Sequence, residues 1–287
     1  WSSDVCSSDL DGKSPRLLEL KNEKGAVVET VVETYGSRNS VGVSETQEVF
    51  AKVFSNSKYQ ADSYGLVYWS HGDGWLPYPL RAGTRWVGQD KGNGDNRMNI
   101  SEFVEILKSA PHFDFILFDA CFNGSFHLDD NIVGSYIFNK GKTIATMGCT
   151  VNTIQDKWPD EFLGLLAAGM RIGQFTRFTC FLENHLIGDP TFHFTNNAGL
   201  DMDINQALVA QEGNVTFWKK QLNSPMADMQ AMALRQLSMA NYSGLVELLK
   251  KSYHESNYFV VRLEALRLLA LNYPTEVADV LQTAMND

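Results

Sequence analysis

Two short apolar runs stand out against the polar background of the chain. Gly65-Leu66-Val67-Tyr68-Trp69 stops at Ser70-His71-Gly72-Asp73-Gly74, and Phe113-Asp114-Phe115-Ile116-Leu117-Phe118 stops at Asp119-Ala120-Cys121-Phe122-Asn123-Gly124. Short runs rich in β-branched and aromatic residues, ended by glycine-bearing turns, predict buried parallel strands. Upstream, the apolar stretches of residues 16–35 flank the polar turn Asn22-Glu23-Lys24-Gly25, which predicts a β-hairpin. Ser44-Glu45-Thr46-Gln47 reads as a capping box opening a helix through Phe54, with Val49, Phe50, Val53 and Phe54 on one face. Residues 75–96 are glycine-rich and polar, and predict a long loop over a strand end.

Further on, the pattern predicts helices over 99–108 and 131–138 and a buried strand over 143–148. Helices over 159–168, with Pro159 in the first turn, and over 178–187 follow. A turn at 188–191 leads to a short strand at 192–194. Strands alternating with helices call for an α/β fold with a mostly parallel sheet flanked by helices. From about Asp203 the pattern is helical alone. Ala233-Leu234-Arg235 and Leu237 recur as Ala265-Leu266-Arg267 and Leu269, an offset of 32 residues. Two helices per unit at that period predict a helical-hairpin array similar to short HEAT-type repeats. The methionine-rich stretch 226–239 then reads as repeat core.

The expected organisation is therefore a linker or sequence artefact over 1–12, an α/β domain over 13–200, and an all-α repeat segment over 201–287. The first twelve residues carry Ser-Ser-Asp twice, with neither an initiating Met nor an apolar signal core. On this reading any secretion signal would lie upstream.

Composition narrows the function classes. At 44% hydrophobic and 20% charged residues the chain has the makings of a packed core. Its net charge of −10 argues against general nucleic-acid binding, which needs a basic field. No apolar run approaches the roughly 20 residues of a membrane span. The four cysteines, Cys6, Cys121, Cys149 and Cys180, form no C-x-x-C pair, which argues against a zinc ribbon or dithiol site. Cys149 and Cys180 read as structural, His112 and His127 as surface residues, and His185 and His193 as satisfied polar groups near the core. Residues 90–102 superficially suggest a calcium loop, but Asp95 stands where the obligatory glycine belongs, so no metal site is expected.

Ligand and catalytic groups of open α/β sheets collect where the strands end. His71 and Cys121 are thereby expected at one rim of one sheet. A thiol beside an imidazole is the minimal set for covalent attack on a carbonyl, with His71 as base and Cys121 as nucleophile. The oxyanion would be met by backbone N–H groups at Gly72, where no Cβ obstructs close approach, and at Cys121 itself. Asp119, two residues before Cys121, faces the same way along an extended chain. Its carboxylate suits the floor of a pocket for an Arg or Lys side chain.

The stretch 64–75 resembles the His motif of clostripain-type cysteine peptidases, and 113–121 resembles their Cys motif. Asn39-Ser40-Val41 and the hairpin also fit that pattern, whereas Cys121-Phe122-Asn123-Gly124-Ser125-Phe126 and Gly188-Asp189-Pro190-Thr191 look more like gingipain-type sequences. The resemblance covers roughly residues 17–194. It implies a caspase-like α/β fold, a His71–Cys121 dyad, and cleavage after Arg or Lys selected by Asp119. It also implies that Trp158 forms a pocket wall. A polypeptide substrate and residence outside the cell or in its envelope follow from it. No cofactor is required, and calcium enters by family analogy alone. The family's first strand and its Asp-rich turn, expected before the hairpin, have no match in the sequence, and residues 148–158 depart from the clostripain pattern. The competing reading is a catalytically inactive, peptidase-like binding protein that uses the helical repeats to hold a protein partner.

Overall fold

The computed structural model describes residues 2–6, 14–23, 26–62, 64–70, 86–90, 94–113, 115–119, 124, 126, 132–138, 143–150, 161–179, 184–196 and 198–285. The chain divides into two compact units, Trp1–Pro159 with Cys180–Asp189, and Asp160–Thr179 with Pro190–Asp287. This contact division gives residues 160–179 and 190–200 to the helical unit, where sequence reasoning expected them in the α/β domain.

The first unit is mixed α/β. Strands β1 (Ser2–Cys6), β2 (Arg16–Glu23) and β3 (Ala26–Thr34) form an antiparallel sheet in that order. The hairpin of β2 and β3 is the expected one. Residues 2–6, expected to be linker or artefact, instead pair with β2 along Ser2↔Leu20 to Cys6↔Arg16. On β2, Glu19 is buried, and the Lys58 ammonium 2.7 Å away holds its carboxyl below the ordinary value.

Helix α1 (Val43–Phe54) follows. Its N-cap is Gly42, not Ser44, whose hydroxyl donates to Glu45 Oε2 at 2.7 Å. The expected Ser-x-x-Gln capping box is therefore absent: the helix starts two residues earlier and places Ser44 inside its first turn. Val49 lies buried with Leu17 and Tyr35, and Val53 packs against that cluster.

Strand β4 (Gly65–Trp69) pairs in parallel with β7 (Phe115–Asp119). Between them lie β5 (Trp86–Asp90), β6 (Asn96–Asn99) and α2 (Ile100–Lys108). Residues 86–99 correct the expectation of a loop: β5 and β6 are an antiparallel pair, and all five residues of β5 are buried. Val87, Met98, Phe103 and Ile106 form a core with Val41, onto which Leu66 and Tyr68 of β4 pack. The start of α2 is fixed by Glu102, whose carboxylate accepts the Asn99 N–H at 2.6 Å.

Helix α3 (Ile132–Phe138) and strands β8 (Ala145–Cys149) and β9 (Asn184–Gly188) complete this unit. The pairing of β8 with β9 is antiparallel. Among the described residues one strand pairing is parallel and four are antiparallel, so the expectation of a mostly parallel sheet gives way to a mixed arrangement. Of the helix expected over 178–187, residues 178–179 end α5, residues 180–183 lie outside the described residues, and residues 184–187 are strand β9 instead.

The second unit is helical among the described residues: α4 (Leu163–Ala167), α5 (Ile172–Thr179), α6 (Ile204–Ala210), α7 (Val215–Gln221), α8 (Ala227–Met239), α9 (Leu245–Glu255), α10 (Phe259–Asn272) and α11 (Ala278–Ala284). Helix α4 starts later than expected because Phe162 takes a left-handed backbone, φ 65°. Residues 192–194 are not a strand. Helix α6 is capped by Asp203, whose carboxylate accepts the N–H groups of Asn205 and Gln206. Met229, Met232, Leu234 and Leu237 on α8 are fully buried, as expected of a central helix.

Among these apolar groups sits a charged cluster. Arg235 forks onto Glu264, with Nε–Oε1 2.7 Å and Nη2–Oε2 2.5 Å, and Arg267 forks onto Glu161. Arg235 Nη1 also donates to the Phe178 carbonyl at 2.5 Å, and its guanidinium lies 4.6 Å from the Phe162 ring centroid. The hydrogen bond to Glu161 raises the Arg267 pKa further above its already high ordinary value. Arg235 and Arg267 are the two arginines of the internal echo.

Candidate functional site

Asp119 ends β7 and lies directly opposite Trp69, the last residue of β4. The strands that precede the two candidate motifs therefore end at paired positions and run in the same direction. The residue after Trp69 is Ser70, and His71 follows it. Two residues beyond Asp119 is Cys121. His71, Gly72, Cys121 and Trp158 lie outside the described residues, and of Asp119 only the backbone is described.

The described neighbours of these positions are tightly tied. Ser70 Oγ accepts the backbone N–H of Gln89 at 3.2 Å. One residue earlier on β5, Gly88 has φ +99°, and a Cβ there would lie 2.1 Å from the Tyr68 hydroxyl oxygen. Glycine is required twice over, by conformation and by space. Burial raises the Tyr68 phenol above its ordinary pKa, so it stays neutral. At the end of β5, Asp90 is 1% exposed, and its Oδ2 accepts both the N–H (2.7 Å) and the hydroxyl (2.9 Å) of Ser40. This places Asn39-Ser40-Val41 against β5.

The other motif is tied on its downstream side. The Gly124 N–H donates to the Cys149 carbonyl at 2.8 Å, and a Cβ on Gly124 would lie 2.4 Å from the carbonyl carbon of Gly148. The Phe126 ring meets His185 edge-on with centroids 4.8 Å apart, and His185 Nε2 lies 3.4 Å from Thr150 Oγ1. His185 is half-buried with these polar and aromatic partners, His112 is exposed, and His193 is exposed rather than near the core. Cys149 is buried. His127 and Cys180 lie outside the described residues.

Sequence reasoning missed Gln89, Gly88 and Asp90, because a polar, glycine-bearing stretch reads as loop. The alternation Trp86-Val87 with Met98 across the turn was the available signal. Among the described residues no group of three His, Cys, Asp or Glu is placed to hold a metal ion, and no helix is long and apolar enough to cross a membrane.

Comparison with known proteins agrees with the motif reading. Residues 5–132 match the family model described as the clostripain family of C11 peptidases. Among solved structures, the chain is similar to a secreted C11 cysteine protease from Bacteroides thetaiotaomicron, solved with an irreversible peptide inhibitor. Identity is 45% over 49% of this chain and 36% of that one, with a TM-score of 0.39. It is also similar to an inactive zymogen C11 protease from Parabacteroides distasonis, 31% identical over 50% of this chain and 36% of that one, TM-score 0.34. The chain thus spans about a third of the length of these proteins. No curated protein matches it.

Proposed function

We propose that the protein is a cysteine endopeptidase in which His71 and Cys121 form the catalytic dyad. The observation that supports this reading is the parallel register Trp69↔Asp119, which ends the strands before both motifs at neighbouring positions. The clostripain family match over residues 5–132 spans both motifs. In the reaction, His71 takes the thiol proton and Cys121 Sγ attacks the scissile carbonyl carbon. The tetrahedral oxyanion is met by the N–H groups of Gly72 and Cys121. Collapse breaks the C–N bond, and His71 returns the proton to the leaving amine. Water, deprotonated by His71, then hydrolyses the thioester and frees the thiol.

Asp119 selects a basic P1 side chain, Trp158 walls the pocket, and the substrate is a polypeptide. The peptidase machinery lies within residues 13–200, in a caspase-like arrangement, and the helices of residues 201–287 form a HEAT-like array. The similar Bacteroides protein is described as secreted, and the same placement, outside the cell or in its envelope, is proposed for this one.

Kinetics on peptides that differ only at P1 test the proposal. Arg and Lys substrates are expected to be cleaved and Cys121→Ala to be inactive. Asp119→Asn is expected to lose roughly 10- to 100-fold in kcat/KM on Arg substrates, the worth of one charge-assisted hydrogen bond. Undiminished turnover by Cys121→Ala would end this reading.

A further inference from the structure

We infer that strand β5 braces the chain at the end of β4 and that Ser70, the residue before His71, is a positioning residue acting through it; the inference rests on the dyad proposed above. Ser70 is the bend where β4 leaves the sheet, and its hydroxyl is held by the Gln89 N–H. One position back on β5 and two back from Ser70, Gly88 lets β5 close onto the Tyr68 hydroxyl. Strand β5 therefore meets this segment at both Tyr68 and Ser70, and Ser70 immediately precedes His71 in the sequence.

A brace works only if it is itself fixed, and β5 is fixed from three directions. Its residues are buried throughout. Gln89 and Asp90 pair with Arg97 and Asn96 of β6, and the Gln89 amide donates to Asp95. The buried Asp90 carboxylate takes two hydrogen bonds from Ser40, fifty positions away in the chain. A bend whose side chain is bonded to so constrained a strand has few conformations left, which narrows where the next residue can direct its ring. Misplacement of a reacting group by about 1 Å costs up to roughly 100-fold in rate. A hydroxyl that merely satisfied a buried N–H would instead show its worth in stability.

The test uses the full chain, an Arg-ending peptide substrate, and the variants Ser70→Ala, Ser70→Thr and Ser40→Ala. Ser70→Ala is expected to lower kcat by roughly 10- to 100-fold and to leave KM within about twofold. The rate of alkylation of Cys121 at neutral pH should fall in parallel. Ser70→Thr keeps the hydroxyl and is expected to restore most of kcat. Ser40→Ala, one tie further out, should lower kcat in the same sense by less. Wild-type kcat in Ser70→Ala, or a change confined to melting temperature, overturns the brace. Cys121→Ala run alongside separates the two claims. If it is inactive while Ser70→Ala matches wild type, the brace alone falls. If Cys121→Ala turns over normally, the dyad falls and the brace with it.

Discussion

The two compact units hold their shape by different means. Around the strand ends of the α/β unit the ties are many and individually modest: Gln89 to Ser70, Ser40 to Asp90, Gly124 to Cys149. The neutral ones are hydrogen bonds of the kind worth about 1 kcal/mol net, and those to the Asp90 carboxylate about 1.5–3 kcal/mol, so the load is shared among several single ties. The helical unit carries, beside its caps and single hydrogen bonds, one ionic cluster in which Glu161, Arg235, Glu264 and Arg267 are mutually paired. A buried charge that loses its partner cannot be rescued by water, so that cluster behaves as a unit. The contrast is one between a region tuned by small adjustments, as a reacting site requires, and a region that either assembles or does not.

The largest effect is expected in the cluster. Glu264→Ala leaves Arg235 without its fork, and should destabilise the helical unit by about 3–5 kcal/mol in denaturant unfolding followed by helical circular dichroism. Replacing all four charged residues by apolar ones of similar volume should be nearly neutral. If Glu264→Ala costs no more than a surface substitution, the cluster is not the all-or-none element described here.

A smaller loss is expected on the other side of the comparison. Gly88→Ala forces a side chain into a backbone at φ +99° and against the Tyr68 hydroxyl. It should cost about 2 kcal/mol in stability, with an activity loss larger than that destabilisation explains. Equal losses at Gly88 and at a glycine remote from the strand ends, such as Gly199, would erase the distinction between the two regions.

The smallest concerns Asp203. Burial pushes its carboxyl pKa up, but hydrogen bonds from the Gln206 and Asn205 N–H groups outweigh this and hold it below its ordinary value. A depressed carboxyl stabilises the fold at pH values above its unfolded pKa, and that contribution is lost as pH falls through the folded value. Asp203→Ala should therefore cost about 1 kcal/mol at neutral pH, and the gap from wild type should close below about pH 4. A gap that persists at pH 2 would assign the effect to something other than the charged cap.

What could be read from sequence follows from how locally each element is determined. The β2–β3 hairpin and strands β4 and β7 were legible because β-branched and aromatic runs end at strong turn residues. Strand β5 was not, since Gly88, Gln89 and Asp90 look like loop until Ser40 and Arg97 are brought to them by the fold. Strand β9 was not, since residues 184–187 read as the end of a helix and become strand by pairing with β8. The cap of α1 was misplaced because Gly42 serves where Ser44 offered a hydroxyl. The echo at Arg235 and Arg267 was visible as a period, but its ionic partner Glu161 lies 106 residues from Arg267 and no local pattern announces it. For the candidate site, the residue types and strand ends were legible, whereas the ties around them depend on long-range contacts.

The most direct test of the central claim is to treat the wild-type protein with an Arg-ending peptidyl chloromethyl ketone and map the adduct by mass spectrometry. A single adduct on Cys121 Sγ, formed in step with loss of turnover and slowed by orders of magnitude in His71→Ala, is the predicted result. Full occupancy at Cys121 with turnover undiminished, or inactivation with the adduct on Cys149, would contradict it.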